Sequence, residues 1–158
     1  MFEVLLSVHI LAAILVVGPI TVAASLFPRY ARQSAPDGDD PGRRAAGIAV
    51  LLHRICRGYA VVGLTVPVFG LAAGAKLGVL ADPWLIASLV LTALAAGTLV
   101  LAILPGQERL LAPPPDATTH DGVRSAAARL ASTTGAFNIL WVLVVVLMIV
   151  RPGSTTGA

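Results

Sequence analysis

Carboxylates are scarce in this chain of 158 residues: it holds eight acidic side chains, and none of them lies deep within an apolar run. Without such a group there is little to relay protons or to couple an ion to a solute, so carboxylate-driven transport is not expected. The only cysteine, Cys56, excludes an intrachain disulfide, and with no CxxC pair it reads as a reduced structural thiol. Aromatics make up 5% of the chain, and the arginines flank apolar runs instead of forming one basic stripe. No nucleic-acid partner is therefore expected, despite a net charge of +3. A zinc or copper site needs several His, Cys or Met ligands to converge, and only His9 and Met148 fall at similar depth, so no metal site is expected. No nucleophile triad, phosphate-binding glycine loop or nucleotide fingerprint occurs, so an enzymatic role is not expected.

What the chain has in abundance is apolar surface. Hydrophobic residues are 57% of the sequence, charged residues 12%, and the mean hydropathy is +0.89. These values identify a membrane protein, because hydrocarbon about 30 Å thick needs roughly 20 apolar helical residues to cross it. Spans are expected at about 4–27, 58–80, 84–104 and 131–150. The first carries VAA before Ser25, which resembles a signal cleavage site. Its n-region has Glu3 and no basic residue, and the run exceeds the roughly 7–15 apolar residues of a signal peptide, so it reads as a retained span.

The basic residues orient the bundle. Arg29, Arg32, Arg43, Arg44, Arg54 and Arg57 follow the first run, Arg109, Arg124 and Arg129 follow the third, and only Lys76 and Arg151 lie elsewhere. The positive-inside rule puts both long connections in the cytoplasm and the Ala81–Asp82–Pro83 turn and both termini outside. Anionic lipid headgroups are the expected partner of this basic side. In the first connection Asp40 before Pro41 has the form of a helix N-cap, and Ile48, Leu51, Leu52 and Ile55 would form an apolar side of the helix that follows. The second connection repeats the plan with a proline run, Thr and Asp capping candidates, and a basic helix into the last span; His120 reads there as a solvated histidine.

Packing is expected through small residues, since lipid removes the usual drive for helices to associate. Gly70, Gly74 and Gly78 form a ridge on the second span, and Ser88, Thr92 and Ala96 a matching face on the third, so these two are expected to pack together. Pro19 and Pro67 are expected to kink the first two spans and to free the carbonyls of Leu15 and Gly63. Those carbonyls, with Thr21, Thr65, Thr92, Thr98 and Asn138, are the candidates for lining a polar pocket.

Within the spans His9 is the residue that stands out. Its plainer reading is a neutral ring hydrogen-bonded to a neighbouring helix, with no cofactor. The sharper one makes it an axial haem ligand paired with Met148 or Lys76, since all three fall near the outer surface. His53 belongs to the opposite surface and cannot share an iron with His9.

HILAAILVVGPITVAASLFPRYAR, followed by a basic loop, a second span bearing Gly and Pro, and a last helix running NILWVLVVVLMIV, resembles a family of small four-helix membrane proteins known as domain of unknown function 2269. The opening helix also resembles copper-resistance D proteins and a protoporphyrinogen oxidase family of membrane haem proteins, in which an early histidine precedes glycine and then a PR pair. That second resemblance implies haem at His9 and, more loosely, a role for Lys76. Here Val17 stands where a tryptophan is usual, and the spacing to Pro28-Arg29 is about one helical turn longer.

The expected fold is therefore an all-α integral membrane four-helix bundle, one transmembrane domain over 1–158, with N and C termini outside and two cytoplasmic loops with amphipathic helix extensions. It is expected in the plasma membrane, as a structural or accessory subunit or assembly factor of a larger complex, with membrane-protein partners. The alternatives are a haem-binding redox protein using His9, and a small-molecule transporter.

Overall fold

A computed structural model describes residues 2–34, 39–112 and 120–152. The turn cluster over 35–38 and the proline run with its capping candidates over 113–119 lie outside the described residues. The helices are α1 (Phe2–Gln33), α2 (Asp40–Val62), α3 (Thr65–Leu77), α4 (Pro83–Thr98), α5 (Leu104–Leu111) and α6 (His120–Val150), with a π-helical turn, Leu99–Ile103, between α4 and α5. They make four runs long and apolar enough to cross a membrane: Glu3–Gln33, Asp40–Leu77, Pro83–Leu111 and His120–Val150. No strand occurs among the described residues. Large apolar side chains such as Ile14, Val68, Val90, Leu101 and Ile139 cover the outside, the inverse of a water-soluble surface and the pattern hydrocarbon requires.

The helices extend past the expected spans because their extensions are not separate pieces. Asp39, one residue before the expected cap, closes the start of α2: its Oδ1 accepts the Gly42 N–H at 3.1 Å, which places Pro41 within the first turn. From there α2 runs unbroken into the second span. Its buried side is Ala45, Ala49, Leu52 and Cys56, whereas Ile48 and Leu51 face outward. The inward side is thus the small one, since a short side chain lets two helices approach.

Around this approach the core is built. Val16, Ile20, Ala23, Ala24, Phe27 and Ala31 recur at helical spacing along α1 and share one cluster with Ala49, Leu52 and Cys56 of α2, Ala95, Leu99 and Ile103 of the third span, and Leu130 and Phe137 of α6. The first and second spans form one hairpin, the third and fourth another, and α1 joins them through α6.

The glycine ridge meets the third span only at Gly74. Although the short turn makes α3 and α4 neighbours in sequence, they touch little beyond the turn itself. A Cβ on Gly70 would meet His9 of α1, and one on Gly74 would meet Leu85. Gly78, at φ 72°, ends α3: its N–H reaches the Ala75 carbonyl at 3.2 Å and the Val79 N–H reaches Gly74 at 3.1 Å. That pair of bonds is a Schellman cap, which needs the left-handed residue that glycine supplies.

The second span breaks four residues ahead of Pro67. Gly63 and Leu64 interrupt the helix, and the Gly63 carbonyl, which Pro67 cannot serve, accepts the Val66 N–H at 3.1 Å. α1 stays helical through Pro19 and Pro28.

Candidate functional site

His9 is buried on α1, and its Nδ1 lies 2.9 Å from the Val66 carbonyl of α3. A carbonyl oxygen only accepts, so Nδ1 carries the proton and Nε2 is left with the lone pair. The bond depends on Gly70, one turn beyond Val66: a Cβ there would sit 2.9 Å from His9 Cε1. A glycine at that position therefore lets the ring lie against the α3 backbone.

Beside His9 is a cavity of about 330 Å³ between α1, α3, α4 and α6. Its wall is almost wholly apolar; the polar exceptions are His9, Ser88, Thr92 and Trp141. Ser88 and Thr92 donate to the carbonyls of Trp84 and Ser88, at 2.8 and 2.7 Å, so both hydroxyl protons are spent within their own helix. Trp141 Nε1 is buried and has no acceptor among the described residues. Met148 reaches the same cavity from α6. Ile14, Leu71 and Val145 lie on its rim and are exposed, so it opens toward the bilayer.

Lys76 is exposed near the end of α3 and does not line this cavity, so of the two candidate partners Met148 shares it with His9. The expected polar pocket does not assemble. Thr65 and Thr98 donate to Val62 and Leu94 of their own spans, and Asn138 donates to Ser25 at 3.3 Å. Thr21 also falls outside the cavity, which leaves Thr92 as the one member of that set in it. Ala96 is exposed on α4.

A second buried polar group sits at the other end of the bundle. His53 Nδ1 donates to Gln107 Oε1 at 3.0 Å, and Gln107 Nε2 donates to Cys56 Sγ at 3.5 Å. His53 Nε2 faces Glu108 across 3.8 Å. Val66, level with His9, is thirteen residues past His53, or about 20 Å along a helix, so the two histidines serve separate sites. Among the described residues no group of three or more His, Cys, Asp or Glu could hold a metal ion.

Gln107 and Trp141 were not readable as site residues. Gln107 is a lone amide after Pro105-Gly106 that resembles loop chemistry, yet it is fully buried. Trp141 offered one signal: it lies within a span and away from the interfacial belt, where its N–H must find an acceptor or go without.

A family model described as a predicted integral membrane protein (DUF2269) matches residues 3–152. No curated protein and no solved structure matches the chain. These comparisons do not connect it with the copper-resistance D or protoporphyrinogen oxidase proteins.

Proposed function

The chain belongs to this DUF2269 family of predicted integral membrane proteins, and from that premise we propose that it is a haem-binding membrane protein in which His9 supplies an axial nitrogen. The observation that carries the reading is that His9 and Met148 line one otherwise apolar cavity; the bond from His9 Nδ1 to the Val66 carbonyl suits it, and suits a cofactor-free histidine equally. A ring nitrogen that donates to a backbone carbonyl fixes the tautomer and orientation of a histidine and makes its other nitrogen more basic, which is the usual support of an axial ligand. The donor set fits: a histidine and a methionine line one cavity whose wall is almost wholly apolar. When bound, haem would supply one-electron chemistry. The chain's own residues would hold and orient it and exclude water through Leu85, Leu89 and Val144.

The arginines gathered at the loop end support a cytoplasmic position for that end and an outer one for His9 in a plasma membrane, with anionic headgroups around the basic end. The test is the visible spectrum of the full chain in mild detergent after growth with a haem precursor. A Soret band is expected; His9→Ala removes it, and Met148→Leu keeps the band but converts the iron from low to high spin. A colourless protein overturns the reading.

An accessory subunit or assembly factor is the second reading, and one observation favours it. Ala93 and Ala96 are exposed on α4, and the space beside Gly97 is open, so a small-residue face is turned to the membrane where another helix could pack. A colourless protein that co-purifies with defined membrane partners, lost on Ala96→Leu, supports this role.

A further inference from the structure

We infer that the cleft between α5 and α6 at the loop end is a binding site for the phosphate of one anionic phospholipid, held by Arg109 and Arg129. This rests on the proposed preference of that end for anionic headgroups and turns it into a defined site.

The cleft has a volume of about 300 Å³ and is lined by Arg109 and Arg129. Neither has an acidic partner among the described residues, and Glu108 is turned to His53 on α2. Ser125 and Thr133 also line the cleft, but their hydroxyls donate to Gly122 and Arg129 carbonyls at 3.0 Å, so the two guanidinium groups are the donors left for a ligand. Two planar forks in one cleft suit a group with several equivalent oxygens, which is the chemistry of phosphate. Gly106 sets the base, since a Cβ there would stand 3.1 Å from Leu130 Cδ1.

The rest of the wall points to a lipid and not to a soluble phosphate. Ala102, Ala126 and Leu130 make it apolar, and Ala102 and Ala126 are exposed, so an acyl chain can run from the headgroup along the bundle into the bilayer. The cleft also lies where two spans pass into their basic extensions, at headgroup depth, and basic pockets between membrane helices are recurrent sites for anionic headgroups.

The test uses the full chain in nanodiscs of phosphatidylcholine containing a minor fraction of phosphatidylglycerol, with retained lipid counted by mass spectrometry after stepwise delipidation. One phosphatidylglycerol per chain is expected to resist removal. Arg109→Gln with Arg129→Gln should lower its retention by about twenty-fivefold, taking roughly fivefold for each basic residue lost near an anionic surface. Arg43→Gln with Arg44→Gln, at the same end but outside the cleft, should leave it unchanged. If both pairs lower retention equally, a diffuse charge effect accounts for the lipid and the site is overturned while the broader preference stands. If no variant or wild type prefers phosphatidylglycerol, both fail. Displacement of the lipid by millimolar inorganic phosphate makes this a soluble-anion site and overturns the lipid assignment. Should the double variant fail to fold, Arg129→Gln alone must still lower retention several-fold, and unchanged retention refutes the site.

Discussion

His9 and Gly70 show how a single residue's absence of side chain can carry a site. The imidazole reaches the α3 backbone because the position one turn past Val66 has no Cβ. Gly70→Ala puts a methyl 2.9 Å from His9 Cε1, so either the ring or the helix must move. The expected cost is about 1–3 kcal/mol, the usual range for overpacking, with the Val66 bond lost. Gly18→Ala meets nothing within 4 Å and should be close to neutral. Thermal unfolding in detergent compares the two, and the ¹⁵N shifts of the His9 ring report whether its Nδ1 proton is still engaged. Equal stabilities would show that the close approach of ring and glycine is not an energetic constraint. From sequence, Gly70 was legible as a small residue needed for packing, but its partner was assigned to α4. Glycine spacing declares that something approaches closely; it does not say what.

At the scale of elements, the π-helical turn decides which side chains of the third span face inward. Leu99, Ile103 and Gln107 are buried and spaced by four residues, and in an uninterrupted α-helix each such step turns about 40° around the axis. The wider turn, in which the Leu104 N–H reaches back to the Leu99 carbonyl, absorbs one of these steps. Gln107 therefore stays aimed at His53. A π turn is one residue inserted into an α-helix, so deletion of exposed Leu101 should heal it, keep both flanking faces aligned and shift Tm by only a few degrees. Deletion of Leu91 from the regular part of α4 turns everything beyond it by about 100° and should abolish the folded state. Crosslinking of cysteines introduced at matched positions of α2 and α5 would report the register. Tolerance of the Leu91 deletion would remove the argument that helix phase positions Gln107.

For the whole molecule, contacts divide the chain into two hairpins joined through α1 and α6, with little between α3 and α4 beyond their turn. The connection over Val79 to Asp82 packs only locally, with Val79 against Trp84 and Leu85, and adds little that holds the two hairpins side by side. Co-expressed fragments 1–80 and 81–158 are expected to reassemble in the membrane and co-purify, as helices that insert separately and then pack should. A split inside α1, between residues 16 and 17, should fail, because it divides the helix whose buried face runs from Val16 to Ala31. Recovery of the second pair but not the first would reverse this account of how the bundle is held.

Four crossings, the all-helical class and the side on which the arginines collect followed from the sequence alone, because lipid leaves the backbone one solution and apolar run length measures it directly. His9 was equally visible, as an ionisable ring with no aqueous reason to be there. Which helices are neighbours was not legible, since every span presents apolar and small residues on several sides and hydrocarbon does not rank them. Only the tertiary structure turned the small faces of α1 and α2 toward each other, set His9 against Val66 beside a cavity shared with Met148, and buried Gln107 between His53 and Cys56. Those choices depend on helix phase and on close approach between elements far apart in the chain, quantities that exist only once the helices have packed.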